Sequence, residues 1–334
     1  MRRRSLSSWV ILALLVALAA AALAACGGSS SSSSSSPAAT AVAGAPSADQ
    51  IVKDSEAKMA QVKSASFTAD MGFEVQGDTS KMTDPTSKAL LSQGITLHAE
   101  GKSASQPVAV DMKMALGIGG QNLELGMMSQ GTKSWVEYKN QWYKVDGKSG
   151  KSLDKQVGVG AAPTEQLKSL GLDPSAWGTS YTLVGTENLN GTQVYHVKAT
   201  ADPQKLADAL LKMSKDPSLA QKLGGSGQLK QLEQGLQQNS KQAQELQKSL
   251  KDVTVDYWIG VDDQLMHKAQ FAAALDTKGQ QGMTGVDGMT MKVAVTMADF
   301  DQPVSVTPPA NALPMSKLTQ QMFGAMGSTS GLTY

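Results

Sequence analysis

The sequence predicts an α+β protein dominated by antiparallel strands. Two observations carry that prediction. Runs of period-two alternation between apolar and polar residues recur from Phe67 to Met297, and a helix-rich stretch interrupts them at residues 203–250. Such alternation is what a sheet with one packed face and one wet face produces. With 334 residues the chain is long enough for one large sheet domain or two small ones.

The first element is an address. Arg2-Arg3-Arg4, the apolar run Trp9 to Leu23 and the small residues before Cys26 have the three parts of an export signal over residues 1–25. A retained transmembrane anchor is the other reading of that run. Leu23-Ala24-Ala25-Cys26 looks like a bacterial lipobox, in which the cysteine is acylated, by palmitate-type chains, and becomes the new N-terminus. Cys26 is the only cysteine, so no internal disulfide can form, and an exported domain must be stable by burial alone. Residues 26–46 hold the serine run Ser29 to Ser36 and an Ala/Pro/Gly stretch. They bury too little to offset their ordering entropy and read as a tether spanning on the order of 20–25 Å.

A single domain is expected over residues 47–313. Ser47 can cap a helix over Ala48 to Val62, whose Ile51, Val52, Ser55, Met59 and Val62 fall close to one stripe. Strands follow. Phe67, Ala69, Met71, Phe73 and Val75 alternate with polar residues, and Ile95, Leu97 and Ala99 do so more weakly. Val108 to Ile118 and Leu123 to Met127 flank Gly119-Gly120, a hairpin turn. Trp135–Tyr138 and Trp142–Val145 flank Lys139-Asn140-Gln141. Tyr181–Thr186 and Gln193–Ala199 flank Asn190-Gly191, another hairpin signal. Thr164–Leu170 and Pro203–Met213 read as helical, and Ser226–Leu250 reads as a long Gln/Lys-rich helix with a narrow leucine seam. Strands resume at Val253–Val261, Leu265–Leu275 and Met289–Met297. Residues 314–334 read as a short helix and a tail.

Composition excludes several functions. Outside Arg2–Arg4 there is no arginine, which leaves 27 lysines against 29 acids and a net charge of −2 beyond the leader. Without guanidinium forks or a basic stripe, nucleic acid is not an expected partner. His98, His196 and His267 stand singly in predicted strands, with no spacing that makes a metal site. No nucleophile elbow, P-loop or dinucleotide fingerprint occurs. Asp262-Asp263 between two strands reads as a turn. The chain is not expected to be an enzyme, and neither a metal nor a cofactor is implied.

The remaining signal is methionine. Met71, Met112, Met114, Met127, Met289, Met291 and Met297 all occupy alternating strand positions. Flexible, polarizable thioethers suit a surface that accepts irregular apolar ligands, and equally suit a plain core under helices. The residues leave both readings open.

Five motifs then carry a resemblance. They are Val62-Lys63-Ser64-Ala65-Ser66-Phe67, Gln141-Trp142-Tyr143-Lys144-Val145, and Gly185-Thr186-Glu187-Asn188-Leu189-Asn190-Gly191-Thr192-Gln193-Val194-Tyr195-His196-Val197. Tyr257-Trp258-Ile259-Gly260-Val261-Asp262-Asp263-Gln264-Leu265 and Asp299-Phe300-Asp301-Gln302-Pro303-Val304 complete the set. With the lipobox, these resemble the LppX/LprG-type actinobacterial lipoproteins, which are similar in fold to the LolA and LolB carriers. The resemblance covers most of residues 48–310. It implies a strongly curved antiparallel sheet, an incomplete barrel, with helices packed on its concave side over an apolar cavity for a lipid or glycolipid.

The candidate lining follows from that implication: Phe67, Met71 and Phe73; Val110, Met112 and Met114; Leu125 and Met127; Val255 and Tyr257; Phe271; and Met291, Val293 and Val295. The implied function is lipid binding and carriage or presentation at the cell envelope. The protein would be held at the extracytoplasmic face of the cell membrane through acylated Cys26, with an envelope protein as a further partner. The rival expectation is a lipid-anchored sensor or interaction module with a filled core, docking a protein through Ser226–Leu250. The regions 149–177 and 203–250 are longer than in the short members of that family and could lid the cavity or fill it.

Overall fold

The computed structural model describes residues 44–78, 80, 88, 94–118, 120–145, 179–206, 208, 249–278 and 285–320. The leader, the tether, the expected helix at 164–170, nearly all of 207–248 and the tail after 320 lie outside the described residues.

One helix opens the domain. α1 (Ala48–Met59) starts where Ser47 Oγ accepts the Gln50 N–H at 3.3 Å, as its sequence predicts. It ends three residues earlier than expected. The Gln61 and Val62 N–H groups bond the Lys58 and Met59 carbonyls in a tightened last turn before the chain extends into the first strand.

Twelve strands follow in chain order: β1 (Ser64–Gly77), β2 (Ile95–Ser105), β3 (Val108–Ile118), β4 (Gln121–Gln130), β5 (Lys133–Tyr138), β6 (Gln141–Val145), β7 (Ser180–Leu189), β8 (Thr192–Thr200), β9 (Leu250–Gly260), β10 (Met266–Asp276), β11 (Val286–Ala298) and β12 (Leu313–Pro314). They form one curved, unclosed sheet in the order β12-β6-β5-β4-β3-β2-β1-β11-β10-β9-β8-β7. Every pairing is antiparallel except the two-residue contact of β12 with β6. Two meanders, β1 to β6 and β7 to β11, are therefore joined by the long pairing of β1 with β11.

The predicted hairpins form for local reasons. Lys139 and Asn140 both have positive φ (49° and 60°), as do Asn190 and Gly191 (52° and 92°). Two successive positive φ values make the mirror-image turn that matches strand twist. The strands run longer than the alternation alone marks, since β2 reaches Ser105 and β7 reaches Leu189. Leu250, read from sequence as the end of a helix, instead begins β9 opposite Leu275 and is buried there. The residue before it, Ser249, is helical, so the change of structure falls between them.

After β11 the chain turns through Asp299 and Asp301, both at positive φ. Asp301 is locked to the start of β1: its Oδ1 accepts the Lys63 N–H at 2.7 Å and its own N–H donates to the Ser64 carbonyl at 2.8 Å. The segment that follows lays Val304 and Val306 against Ala104, Ala109 and Met128. It then adds β12 beside β6. Residues 315–320 are helical.

Candidate functional site

Partners in an antiparallel ladder share a face, so register decides which side chains meet. Met71 stands opposite Val293, Val293 opposite Phe271, Phe271 opposite Val255 and Val255 opposite Ala199. In the other direction Met71 meets Leu97, then Leu116, then Leu123. The next row runs Tyr257, Ala269, Val295, Ala69, Ala99, Met114 and Leu125. Another runs Met297, Phe67, Gly101, Met112, Met127, Val136 and Tyr143. Phe73 pairs Met291, and Val110 falls two residues along β3 from Met112. All fourteen candidate residues therefore lie on one face of the sheet.

Burial divides that face. Phe73, Val110, Met127, Tyr257, Phe271, Met291 and Val293 are buried. Phe67, Met71, Met112, Met114, Leu125, Val255 and Val295 are only half-buried. At the β7–β10 end the cover is α1, whose Ala48, Ile51 and Val52 form one cluster with Val197, Ala199, Tyr257, Ile259, Met266 and Ala269. Ser55 is fully buried on α1, and its hydroxyl has no hydrogen-bond partner among the described residues. Over the β1–β4 centre, large apolar side chains keep part of their surface open: Phe67, Met71, Leu97, Met112, Met114, Leu116, Leu123 and Leu125.

Gly101 shapes that centre. A Cβ there would point to the apolar face and meet the Asp111 carbonyl oxygen, with Met112 Cα at 2.8 Å. Strand β3 thus leans toward the apolar side at this point, which only a residue without a side chain allows. The row Phe67–Gly101–Met112 is left without a side chain in its middle.

The opposite face is largely polar and internally paired, apart from the Ala104–Ala109–Met128 patch that Val304 and Val306 cover. His98 Nδ1 lies 2.7 Å from Asp70 Oδ1 on the neighbouring strand. That hydrogen bond and the charges of Asp70 and Glu100 raise the His98 pKa above its usual value. Lys292 bonds Glu74 at 3.0 Å. His196 stacks on Trp258 at 4.7 Å, with Glu187 3.2 Å from Nδ1 and Asp256 2.8 Å from Nε2. The Trp258 indole N–H donates to Glu187, and the Lys268 ammonium sits 4.3 Å from the indole centroid. The Asp262-Asp263 pair forms a turn, where Asp263 accepts the Leu265 N–H and pairs with His267. Each histidine thus has a carboxylate partner across the sheet or turn. Among the described residues no group of three or more metal-ligating side chains converges.

Sequence reasoning missed Leu97, Leu116, Leu123, Val136 and Tyr143 as members of the apolar face's rows. Alternation assigns each to one side of its own strand. Only the pairing of β1 with both β2 and β11 brings the two meanders onto a common surface.

No family model and no curated protein matches the chain. Solved structures do. The chain is similar to lipoprotein LppX from Mycobacterium tuberculosis, at 14% identity over 77% of this chain and 97% of that one, with a TM-score of 0.35. It is similar to LprF from Mycobacterium bovis, at 11% identity over 79% and 97%, with a TM-score of 0.38. A LolA superfamily protein from Nitrosomonas europaea matches at 9% identity over 79% and 96%, with a TM-score of 0.20. These are likenesses of the LppX and LolA type.

Proposed function

We propose that the protein is a membrane-anchored, extracytoplasmic lipoprotein that holds a lipid or glycolipid on its apolar face and carries or presents it at the cell envelope. One observation carries the reading: fourteen apolar side chains share a face, and six of them remain partly open outside the cluster that α1 closes. A contiguous apolar face that stays partly accessible offers an apolar ligand a place to dock.

Acyl chains placed against Phe67, Met71, Met112, Met114 and Leu125 leave water, at about 0.8 kcal/mol per buried methylene. Methionine adapts to chains of differing length and branching because three rotatable bonds let the thioether follow them. The paired, solvated opposite face keeps the loaded protein in water. Acylated Cys26 anchors the domain, since two or more chains give stable attachment where one does not. The serine tether lets the apolar face reach the membrane surface. No chemistry on a substrate is part of this role.

The test is organic-solvent extraction of the purified protein followed by lipid mass spectrometry. The expected result is acyl lipid near one equivalent per chain. A protein that carries none, and whose Met112→Trp/Met114→Trp variant unfolds from overpacking rather than losing capacity, has a filled core and is a sensor or interaction module instead.

A further inference from the structure

The apolar face holds two populations of methionine. Met71, Met112, Met114, Met289 and Met297 are half-buried, whereas Met127 and Met291 are buried on the same face. The populations interleave. Met112 stands directly opposite Met127, and Met289 is two residues from Met291 on β11. The immediate ladder partners of Met71 are Val293 and Leu97, and those of Met114 are Ala99 and Leu125, all apolar. Charged side chains of β1, β2 and β11 are on the other face of the sheet, where Asp70 pairs with His98 and Glu74 with Lys292.

Thioether chemistry makes this placement consequential. A hydroperoxide transfers one oxygen atom to a methionine sulfur as its O–O bond breaks. The sulfur loses two electrons and becomes a sulfoxide, and the peroxide is reduced to water or an alcohol. The product is a strong hydrogen-bond acceptor on a side chain that was apolar. Beside Met71 and Met114 the ladder partners carry no donor for it once an acyl chain covers it, and a buried acceptor left unpaired is costly.

We propose that Met71, Met112, Met114, Met289 and Met297 make the lipid-holding face an oxidation-gated surface, from which hydroperoxides expel the bound acyl ligand. The inference rests on the lipid-binding reading above. Sulfoxidation adds oxygen first to the half-buried population and spares the buried Met127 and Met291; of the five, Met297 packs against the α1 cluster as well. Methionine sulfoxide reductases reverse the change, which makes it a switch rather than damage.

The experiment uses the full anchored chain in liposomes, with a diazirine-bearing palmitic acid as probe. After graded hydrogen peroxide, peptide mass spectrometry reads the order of oxidation and photolabelling reads occupancy. The five half-buried methionines are expected to oxidise before Met127 and Met291. Labelling of the β1 and β3 peptides is expected to fall roughly tenfold or more, the scale set by one unpaired buried acceptor. Sulfoxide reductase restores it. In a variant with leucine at all five positions, which lacks the sulfur, labelling is compared with that variant's own untreated level and is expected not to change with peroxide. Label that survives complete sulfoxidation overturns the switch alone, as does equal peroxide sensitivity in the leucine variant. A protein that takes no label before treatment overturns the lipid reading, and the switch with it.

Discussion

Two regions of one surface differ in what covers them. At the β7–β10 end, Val197, Ala199, Tyr257, Ile259 and Ala269 are closed by the helix face of Ala48, Ile51 and Val52. At the β1–β4 centre, Phe67, Met71, Met112, Met114 and Leu125 have the same alternation, the same register and the same side of the sheet, yet stay half-buried. The difference teaches that alternation marks which side of a strand is apolar, while the neighbouring element decides whether that side is closed or stays partly open. A core truncation and a site truncation should therefore behave unlike each other on the same face.

The largest contrast is between Ile259→Ala and Met112→Ala. Ile259 is closed under α1, so its truncation should cost about 2–5 kcal/mol. Met112 already meets solvent, so its loss should cost about 1 kcal/mol or less. Urea unfolding of the two variants reads the difference directly, and equal costs would mean that the two regions are one core.

Gly101→Val probes the shape of the open region. A side chain there runs into the Asp111 carbonyl and Met112 Cα, so β2 and β3 must separate, at about 1–3 kcal/mol or more. Hydrogen exchange should rise at the Asp111 and Met112 amides and stay unchanged in β8 and β9. The opposite sign is expected at Ser55→Ala. Its hydroxyl is fully buried without a partner among the described residues, and removing it should stabilise the covered end by about 1 kcal/mol, seen as a raised unfolding midpoint.

The smallest effect lies on the polar face. Asp70 holds the His98 pKa above 6.5, the ordinary value. A raised folded-state pKa stabilises fully below the unfolded value and is lost as pH rises through the folded one. The His98 ring proton should titrate above 6.5 by NMR, and Asp70→Asn should lower its midpoint with little change in overall stability.

Much of the architecture was legible in the sequence. One packed and one wet face forced the period-two pattern that marks β1, β3, β9 and β11. Lys139-Asn140 and Asn190-Gly191 announced their hairpins through their tolerance of positive φ. The common face of the fourteen candidate residues was legible only strand by strand, because the pairing of Phe73 with Met291 joins distant parts of the chain and leaves no local signal. The path from Asp299 to β12 was not legible at all. It depends on Asp301 meeting Lys63 and Ser64, and on Val304 and Val306 meeting Ala104 and Ala109, none of which is periodic. The leucine spacing carries the helical seam on to Leu250, whereas burial opposite Leu275 places that residue in β9.

The central claim is that the open half of the apolar face holds an acyl chain and the covered half does not. Photolabelling of the anchored protein with diazirine palmitic acid, mapped by peptide mass spectrometry, tests it most directly. Label is expected on the β1, β3 and β4 peptides carrying Met71, Met112, Met114 and Leu125, and not on those carrying Val197 and Ile259. Label spread evenly over both regions, or confined to the polar face around Trp258, would contradict the account.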